Sequence, residues 1–308
     1  MRAFLWNIEA EKNIRCKLCL RRCLITDKNP LGYCKVRKKK ENILIVKNYM
    51  KITYYEDEIE NLNFLHFKPF NKVLVINSVG TNCEFCSEKI SEKELKKVDV
   101  ENFIEEVKSK NIKILFFNQQ EPIIFFETMY KIAKYAFRAG LINVFSTNAY
   151  FLPTLSKLFR KYFSAVQVRV YNFLDEEFYK KIGLEDVKTL RKTILYLYRQ
   201  KLHMEIVNII NSEYKKEKLF EFSEFLINTL SSSIPFHIIA KDEIDIYQLL
   251  ELKDLAERSG LRFVYLSEDR NVYCYNCKSL IIDRESNKIN LNNALRCPYC
   301  LAKVEVVI

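Results

Sequence analysis

From residue 73 onward, apolar runs of strand length alternate with amphipathic runs of helix length, roughly six times over. Such alternation is typical of parallel strands joined by covering helices. We predict strands at 73–77, 112–117, 142–146, 165–170, 204–210, 236–240 and 262–266. We predict helices at 100–109, 123–139, 154–162, 187–200, 215–229 and 246–259. The pattern therefore predicts an α/β fold: a closed barrel, a partial barrel or an open doubly wound sheet.

Proline and glycine positions support these boundaries. Pro122 and Pro153 stand where a first helical turn tolerates proline, and Gly140 and Gly260 stand where helices commonly end. In each of the three layouts, chemistry belongs at the carboxyl ends of the parallel strands. The segments at that edge are 80–86, 118–121, 147–148, 169–171 and 241–242.

The chain has ten cysteines, and they fall into three groups. These groups are Cys16, Cys19, Cys23 and Cys34; Cys83 and Cys86; and Cys274, Cys277, Cys297 and Cys300. Since no segment resembles a signal peptide or a transmembrane helix, we expect a cytoplasmic protein with no membrane partner. In that reducing compartment, grouped cysteines are metal ligands more often than disulfides.

The two outer groups each supply four thiols. The last four form two Cys-x2-Cys pairs separated by 19 residues, which is the spacing of a structural zinc ribbon. We expect strands at 280–282 and 304–308 to frame it. The first four are spaced unevenly and suit either zinc or an iron–sulfur cluster. Because residues 1–70 are too few to bury a large core, a bound metal would help this cap to fold.

The middle pair is less specific. Cys83 and Cys86 directly follow the first predicted strand of the alternating region. Two thiols there are consistent with part of a metal site, a redox pair or no special role.

The formal net charge is +11, so a nucleic-acid or other acidic partner is one alternative. Most lysines, however, alternate with glutamates along the predicted helices. The one compact basic run, 37–40, is predicted to be a solvated turn.

The order of these features resembles a known family along almost the whole chain. The matching segments are 15–23, 31–37, 59–60, 65–69, 121–127, 143–148, 178–179, 235–237 and 274–300. They are similar to the radical SAM protein of the AmmeMemoRadiSam type, which is related to glycyl-radical activating enzymes. The resemblance implies a partial (βα)6 TIM barrel at 71–267, between a four-cysteine cap at 1–70 and a zinc ribbon at 268–308.

The resemblance also implies a cofactor site. In that family, three cysteines of one loop hold a [4Fe–4S] cluster that binds S-adenosylmethionine. Cys83 and Cys86 match the second and third ligands, whereas Thr81 stands in place of the first. By the same resemblance, Glu121 lies nearest the methionyl amine, and Thr147 and Asn148 line the same edge.

Other strand ends depart from the family pattern. Ala149 replaces a glycine, 169–171 replaces an Asp-x-Lys motif, and 211–212 replaces a Pro-Gly pair. The leading hypothesis is therefore a degenerate radical SAM protein that acts as a non-catalytic partner, beside an intact relative or the partner proteins of the family. One alternative is an active enzyme whose cluster takes a non-standard ligand. The other is a basic module, stabilised by zinc, that binds nucleic acid. Of the histidines, His203 is predicted to be structural, and His237 either to line the cavity or to be a satisfied interior residue.

Overall fold

The computed structural model describes residues 1–78, 90–118 and 121–308. The strands are, in chain order, β1 Trp6–Ile8, β2 Ile14–Cys16, β3 Leu24–Ile25, β4 Arg37–Lys40, β5 Ile43–Val46, β6 Lys51–Glu58, β7 Lys72–Asn77, β8 Lys96–Lys97, β9 Ile114–Phe117, β10 Ile142–Thr147, β11 Ala165–Tyr171, β12 His203–Ile210, β13 Phe236–Ala240, β14 Val264–Leu266, β15 Val272–Tyr273, β16 Leu280–Asp283 and β17 Lys288–Ile289. The α-helices are α1 Val100–Ser109, α2 Phe126–Arg138, α3 Glu176–Lys181, α4 Val187–Tyr198, α5 Lys216–Thr229 and α6 Ile246–Arg258.

The chain divides into two compact units, which we describe separately. Unit 1 comprises residues 1–56, 73–166 and 186–202, and unit 2 comprises residues 57–72, 167–185 and 203–308. Among the described residues, no helix has both the length and the apolar character that crossing a membrane requires.

Unit 1 contains parallel strands in the order β10-β9-β7. Their register pairs Val73 with Ile114 and Ile114 with Ile142. All four residues of β9 are buried, as are the last five of both β7 and β10. Strands covered on both faces favour continuous apolar runs, which explains why these segments are recognisable in the sequence.

The amino-terminal part of unit 1 forms two small antiparallel sheets, β1-β2-β3 and β4-β5. The basic run Arg37–Lys40 is the strand β4, so the prediction of a solvated turn was wrong. Arg37 and Lys39 are buried because each has a carboxylate partner, Glu127 and Asp27 respectively. Charge counting alone does not reveal such partners.

Unit 2 contains the order β14-β13-β12-β11, in which β12, β13 and β14 are parallel. The carboxyl-terminal segment adds a separate antiparallel sheet, β15-β16-β17. Its apolar core includes Val272, Ile281 and Val304, packed with Leu65 and Phe263.

The predicted helix boundaries agree closely with the observed ones, apart from two differences, and one predicted strand pairs differently. The predicted helix at 154–162 is a 3-10 helix, Pro153–Leu158, and α3 was not predicted. The closing run 304–308 does not extend the ribbon sheet, because Val307 forms a parallel bridge with Phe67 instead. Gly140 and Gly260 do end helices, with φ of 79° and 108°.

Candidate functional site

The candidate site of unit 1 is built from polar residues at adjacent strand ends. Asn118, just after β9, accepts a hydrogen bond on Oδ1 from Ser146 Oγ of β10 at 2.8 Å. The backbone N–H of Asn118 donates to the carbonyl of Ile76 on β7 at 3.1 Å. Three parallel strands therefore finish in one connected polar edge, which is where the sequence predicted chemistry.

Glu121 lies at the centre of this edge, and its carboxylate joins two elements. Its Oε1 accepts from the backbone N–H of Ile123 at 3.1 Å, which caps the 3-10 turn Pro122–Phe125. The same oxygen accepts from Thr147 Oγ1 at 2.9 Å, and Oε2 accepts from the N–H of Asn148 at 2.6 Å. Glu121 is 6% exposed. The three residues that the resemblance placed at the S-adenosylmethionine edge are thus hydrogen-bonded to one another.

The turn after β10 is fixed by two further side-chain contacts. Thr147 Oγ1 accepts from the N–H of Ala149 at 3.0 Å, and Asn148 Oδ1 accepts from the N–H of Tyr150 at 2.9 Å. Ala149 has φ of 57°, in the left-handed region that glycine adopts most readily. The position at which the resembled family has a glycine therefore has a backbone conformation that favours glycine here, although an alanine occupies it.

The predicted cluster ligands of the barrel, Cys83 and Cys86, lie in the segment 79–89, outside the described residues. The four amino-terminal cysteines are described, and all of them belong to unit 1. The N–H of Cys16 donates to the carbonyl of Cys23 at 3.0 Å, and the N–H of Tyr33 approaches Cys23 Sγ at 3.5 Å.

Burial governs the protonation of these thiols. It raises the pKa of Cys16, Cys19 and Cys34, in the case of Cys19 to about 12, and the neighbouring thiols raise these pKa values further. Without a cation, the thiols of Cys16, Cys19 and Cys34 are therefore held in the neutral form. A bound metal would deprotonate them, because the thiolate is the ligand.

The cysteine cap also contacts the strand edge within unit 1. Cys19 forms an antiparallel bridge with Phe151, and the N–H of Leu20 donates to the carbonyl of Tyr150 at 3.3 Å. These contacts fall two to three residues after Asn148. The cap and the polar edge are therefore neighbouring parts of one unit.

The last four cysteines converge in unit 2. Their Sγ atoms all lie within 4.8 Å of one another, with Cys274–Cys300 and Cys277–Cys297 separations of 3.5 Å. Burial raises the pKa of Cys274 to about 12. Burial also acts to raise the pKa of Cys297, but hydrogen bonds from Ser279 and from backbone N–H groups outweigh it and bring the value to about 6. This set could hold a metal ion, as the sequence predicted.

All three histidines of the chain surround one buried carboxylate in unit 2. Glu205 accepts from the ring of His203 at 3.0 Å and from the ring of His237 at 2.8 Å. It also accepts from the backbone N–H groups of Leu65 and His66. The His66 ring reaches Tyr265 Oη at 2.6 Å, and the His237 ring stacks on that tyrosine.

This arrangement ties the segment 57–72 to β12, β13 and β14. His237 is fully buried, so its observed contacts are those of an interior residue. Glu205 was not predicted, because a single glutamate within an apolar strand shows no spacing that marks it. The alternation of polar His203 and Glu205 with apolar neighbours was the one available signal.

No protein-family model matches the chain. One curated relative, the uncharacterized protein MJ0808 of Methanocaldococcus jannaschii, is 25% identical over 332 aligned positions, which cover 97% of each chain.

Several solved structures are similar to part of the chain. SuiB from Streptococcus suis, bound to its precursor peptide SuiA, aligns at a TM-score of 0.48 and 15% identity, over 67% of this chain and 51% of that one. Archaeal TYW1 aligns at 0.40 and 13% identity over 60% and 72% of the two chains. QueE from Escherichia coli aligns at 0.42 and 10% identity over 71% and 92%. The chain thus spans about half of SuiB.

Proposed function

We propose that this chain is a radical SAM-like protein of the AmmeMemoRadiSam type, with a partial (βα)6 barrel whose classical radical chemistry has been lost. The proposal rests on one observation about Glu121, the residue that the resemblance places nearest the methionyl amine. Its carboxylate is already hydrogen-bonded to other residues of the chain. It accepts hydrogen bonds from Ile123, Thr147 and Asn148. An ammonium ligand would have to compete with these donors for the same two oxygens.

The strand ends of unit 2 support the same conclusion. Asn211, where the family has a Pro-Gly pair, accepts from Asn172 Nδ2 at 2.6 Å, and its N–H donates to Asn172 Oδ1 at 3.1 Å. This reciprocal amide pair links the residues that follow β11 and β12. This pair, and the presence of Thr81 in place of the first cluster ligand, favour a structural role for the residues at the strand ends over a role in substrate binding.

In this proposal the protein acts by binding a partner protein. Its partner would be an intact radical SAM relative or one of the partner proteins of the AmmeMemoRadiSam family, and the ribbon would bind zinc as a structural ion. A closed site of four thiolates leaves no coordination position for a substrate.

A second function is favoured by a separate observation. The cap segment at Cys19 and Leu20 runs directly against Tyr150 and Phe151, next to the polar edge. The alternative is an active radical SAM enzyme in which Cys83 and Cys86 hold a cluster that is completed by a non-standard ligand. Non-cysteine ligation of iron–sulfur clusters is known chemistry.

The two functions are separated by a cleavage assay on the full chain, purified without oxygen and reconstituted with ferrous iron and sulfide. We expect no 5′-deoxyadenosine from S-adenosylmethionine after chemical reduction. We also expect the Cys83→Ala/Cys86→Ala double variant to contain as much iron as the unmodified protein. Deoxyadenosine formation that this double variant abolishes would establish the active enzyme instead.

A further inference from the structure

The positive charge of the chain is concentrated in its amino-terminal segment. Residues 1–50, which precede β6, contain 13 lysines and arginines and four aspartates and glutamates, so they carry +9 of the formal net charge of +11. The other 258 residues contain 37 basic and 35 acidic residues and are nearly balanced. The alternation of lysine with glutamate therefore holds for the rest of the chain and not for this segment. A small segment with such an excess of positive charge attracts polyanions.

The hairpin β4-β5 in this segment is extended at both edges by neighbouring backbone. Residues 1–3 run antiparallel beside β5, where Arg2 forms a bridge with Ile45. Residues 30–32 run antiparallel beside β4, where Leu31 forms a bridge with Lys38. Within the hairpin, Lys38 is paired with Ile45. Because directly opposite residues in a sheet share a face, the side chains of Arg2, Ile45, Lys38 and Leu31 form one row across a single face.

The two faces of this small sheet treat their cations differently. Arg37 and Lys39 belong to the inner face, where both are buried against carboxylates. Since side chains alternate between faces along a strand, Lys38 and Lys40 belong to the opposite, outer face. Both of these lysines are exposed, and so is Arg2 of the same face. Three cations are thus presented to solvent together on one side of the sheet.

Exposed apolar and aromatic side chains lie among these cations. Ile43 is paired with Lys40, and it is exposed, as is Leu31. Two residues after Leu31, Tyr33 is 49% exposed, and the guanidinium carbon of Arg21 lies 3.7 Å from the centre of its ring. Single-stranded nucleic acids bind where cations contact the phosphates and unpaired bases stack on aromatic rings or guanidinium planes. An acidic peptide would use the cations but would have no comparable use for the ring.

We propose that the outer face of this sheet binds single-stranded nucleic acid. This face comprises Arg2, Leu31, Lys38, Lys40, Ile43 and Ile45, with Tyr33 and Arg21 next to Leu31 in the chain and in contact with each other. The three cations contact phosphates, and Tyr33 stacks on an unpaired base. None of these residues belongs to the strand edge at Glu121, so the proposal does not depend on whether the barrel has kept its radical chemistry.

The test measures binding of the full chain to three fluorescently labelled probes of equal length: oligouridylate RNA, oligothymidylate DNA and a DNA duplex. Fluorescence anisotropy is recorded between about 50 and 200 mM salt. We expect a single strand to bind better than the duplex, and the comparison of RNA with DNA identifies the favoured sugar. Three phosphate contacts predict that log affinity falls with log salt with a slope of about −2. No binding to either single strand, or tighter binding to the duplex, would overturn the proposal.

A pair of double variants tests the assignment to this face. Lys38→Ala/Lys40→Ala removes two of the three cations, so binding should weaken and the salt slope should become shallower by about 1.4. Lys96→Ala/Lys97→Ala is the matched control, since it removes the same charge from two exposed lysines of the strand β8. This control should bind within about twofold of the unmodified protein, because salt screens charges that are not in contact. Equal weakening in the two double variants would show a general effect of net charge and would overturn the assignment.

The aromatic contact has its own variant. Tyr33→Leu keeps an apolar side chain without the ring, so it should bind about tenfold more weakly at every salt concentration, with an unchanged slope. Unchanged affinity would contradict stacking and with it the choice of a single strand. Vesicles of phosphatidylserine and phosphatidylcholine are the last arm of the test. Binding to these vesicles without binding to either single strand would identify a membrane-binding face and overturn the proposal.

Discussion

Arg37 and Glu127 form an ion pair whose side chains are only 1% and 0% exposed. Glu127 Oε1 also accepts from the N–H of Phe4 at 2.7 Å, and Arg37 donates to the carbonyl of the same residue. The pair thus fastens the amino-terminal segment and β4 to the first turn of α2. Both charges are removed from water, so each depends on the other.

Removing one partner should destabilise unit 1 strongly. Glu127→Ala leaves the Arg37 guanidinium buried without its counter-charge, and we expect a loss of about 3–5 kcal/mol in the free energy of unfolding. Urea denaturation of the full chain, followed by circular dichroism, measures this loss. The matched control is Arg37→Met/Glu127→Leu, which removes both charges and should cost clearly less than Glu127→Ala. A double variant that loses as much stability as Glu127→Ala would contradict the coupling.

The Glu121 carboxylate should contribute to stability as well as to the shape of the edge. Glu121→Ala removes the acceptor for three donors, two of them backbone N–H groups, and hydrogen bonds to charged groups contribute about 1.5–3 kcal/mol each. We expect a loss of about 3 kcal/mol in the free energy of unfolding. Thr147→Val removes one of the three donors and should cost about 1 kcal/mol. Equal stability of Glu121→Ala and the unmodified protein would show that these hydrogen bonds are not formed in solution.

The histidine cluster predicts a dependence of stability on pH. Burial lowers the pKa of His66 from its usual 6.5 to about 4, although the charge of Glu205 opposes this effect. Between these two values the unfolded chain binds a proton that the folded chain does not, so stability falls as the pH falls from 6.5 towards 4. A shift of this size corresponds to roughly 3 kcal/mol.

Urea midpoints measured between pH 7.5 and 4.5 test this prediction. Glu205 adds little in that range, because its pKa is lowered well below 4.5 and its contribution is lost only in more acidic solution. His66→Gln keeps a hydrogen-bonding side chain but cannot bind the proton, so its stability should depend less on pH. A His66→Gln profile parallel to that of the unmodified protein would remove His66 as the cause.

The ribbon should depend on its metal. Cys277 is exposed whereas Cys274 and Cys297 are buried, so Cys277→Ser removes one ligand with little change in apolar packing. We expect this variant to lose its zinc and to become sensitive to protease within 268–308. Cys23→Ser is the matched control for a half-exposed cysteine outside the ribbon, and it should keep zinc and protease resistance at 268–308. A Cys277→Ser variant with full zinc content would contradict the assignment of the site.

The strands and helices of the alternating region were predictable because their apolar faces are continuous. The strand predicted at 236–240 has the observed bounds Phe236–Ala240, and the helix predicted at 100–109 has the bounds Val100–Ser109. Predicted strand 262–266 begins later, at Val264. Before it, the N–H of Arg262 donates to the carbonyl of Ser232, and the Arg262 guanidinium lies over the ring of Tyr275. The local pattern of apolar residues thus predicts most strands and helices, whereas tertiary contacts determine where each of them begins and ends.

The site was less predictable for a different reason. The grouping of Cys274, Cys277, Cys297 and Cys300 follows from local spacing, and the structure brings them together. Arg37, Glu121 and Glu205 instead each have partners that lie far away in the chain, up to 140 residues in the case of Glu205 and Leu65. Periodicity and spacing carry no information on such pairs, so buried charges appear in sequence as ordinary surface residues.

The loss of radical chemistry is tested most directly by the cleavage of S-adenosylmethionine. The reconstituted full chain is reduced with excess S-adenosylmethionine, and 5′-deoxyadenosine is quantified beside the Cys83→Ala/Cys86→Ala variant. We predict that neither protein forms deoxyadenosine above the level of a protein-free control. Repeated turnover by the unmodified chain, absent from the double variant, would contradict the account.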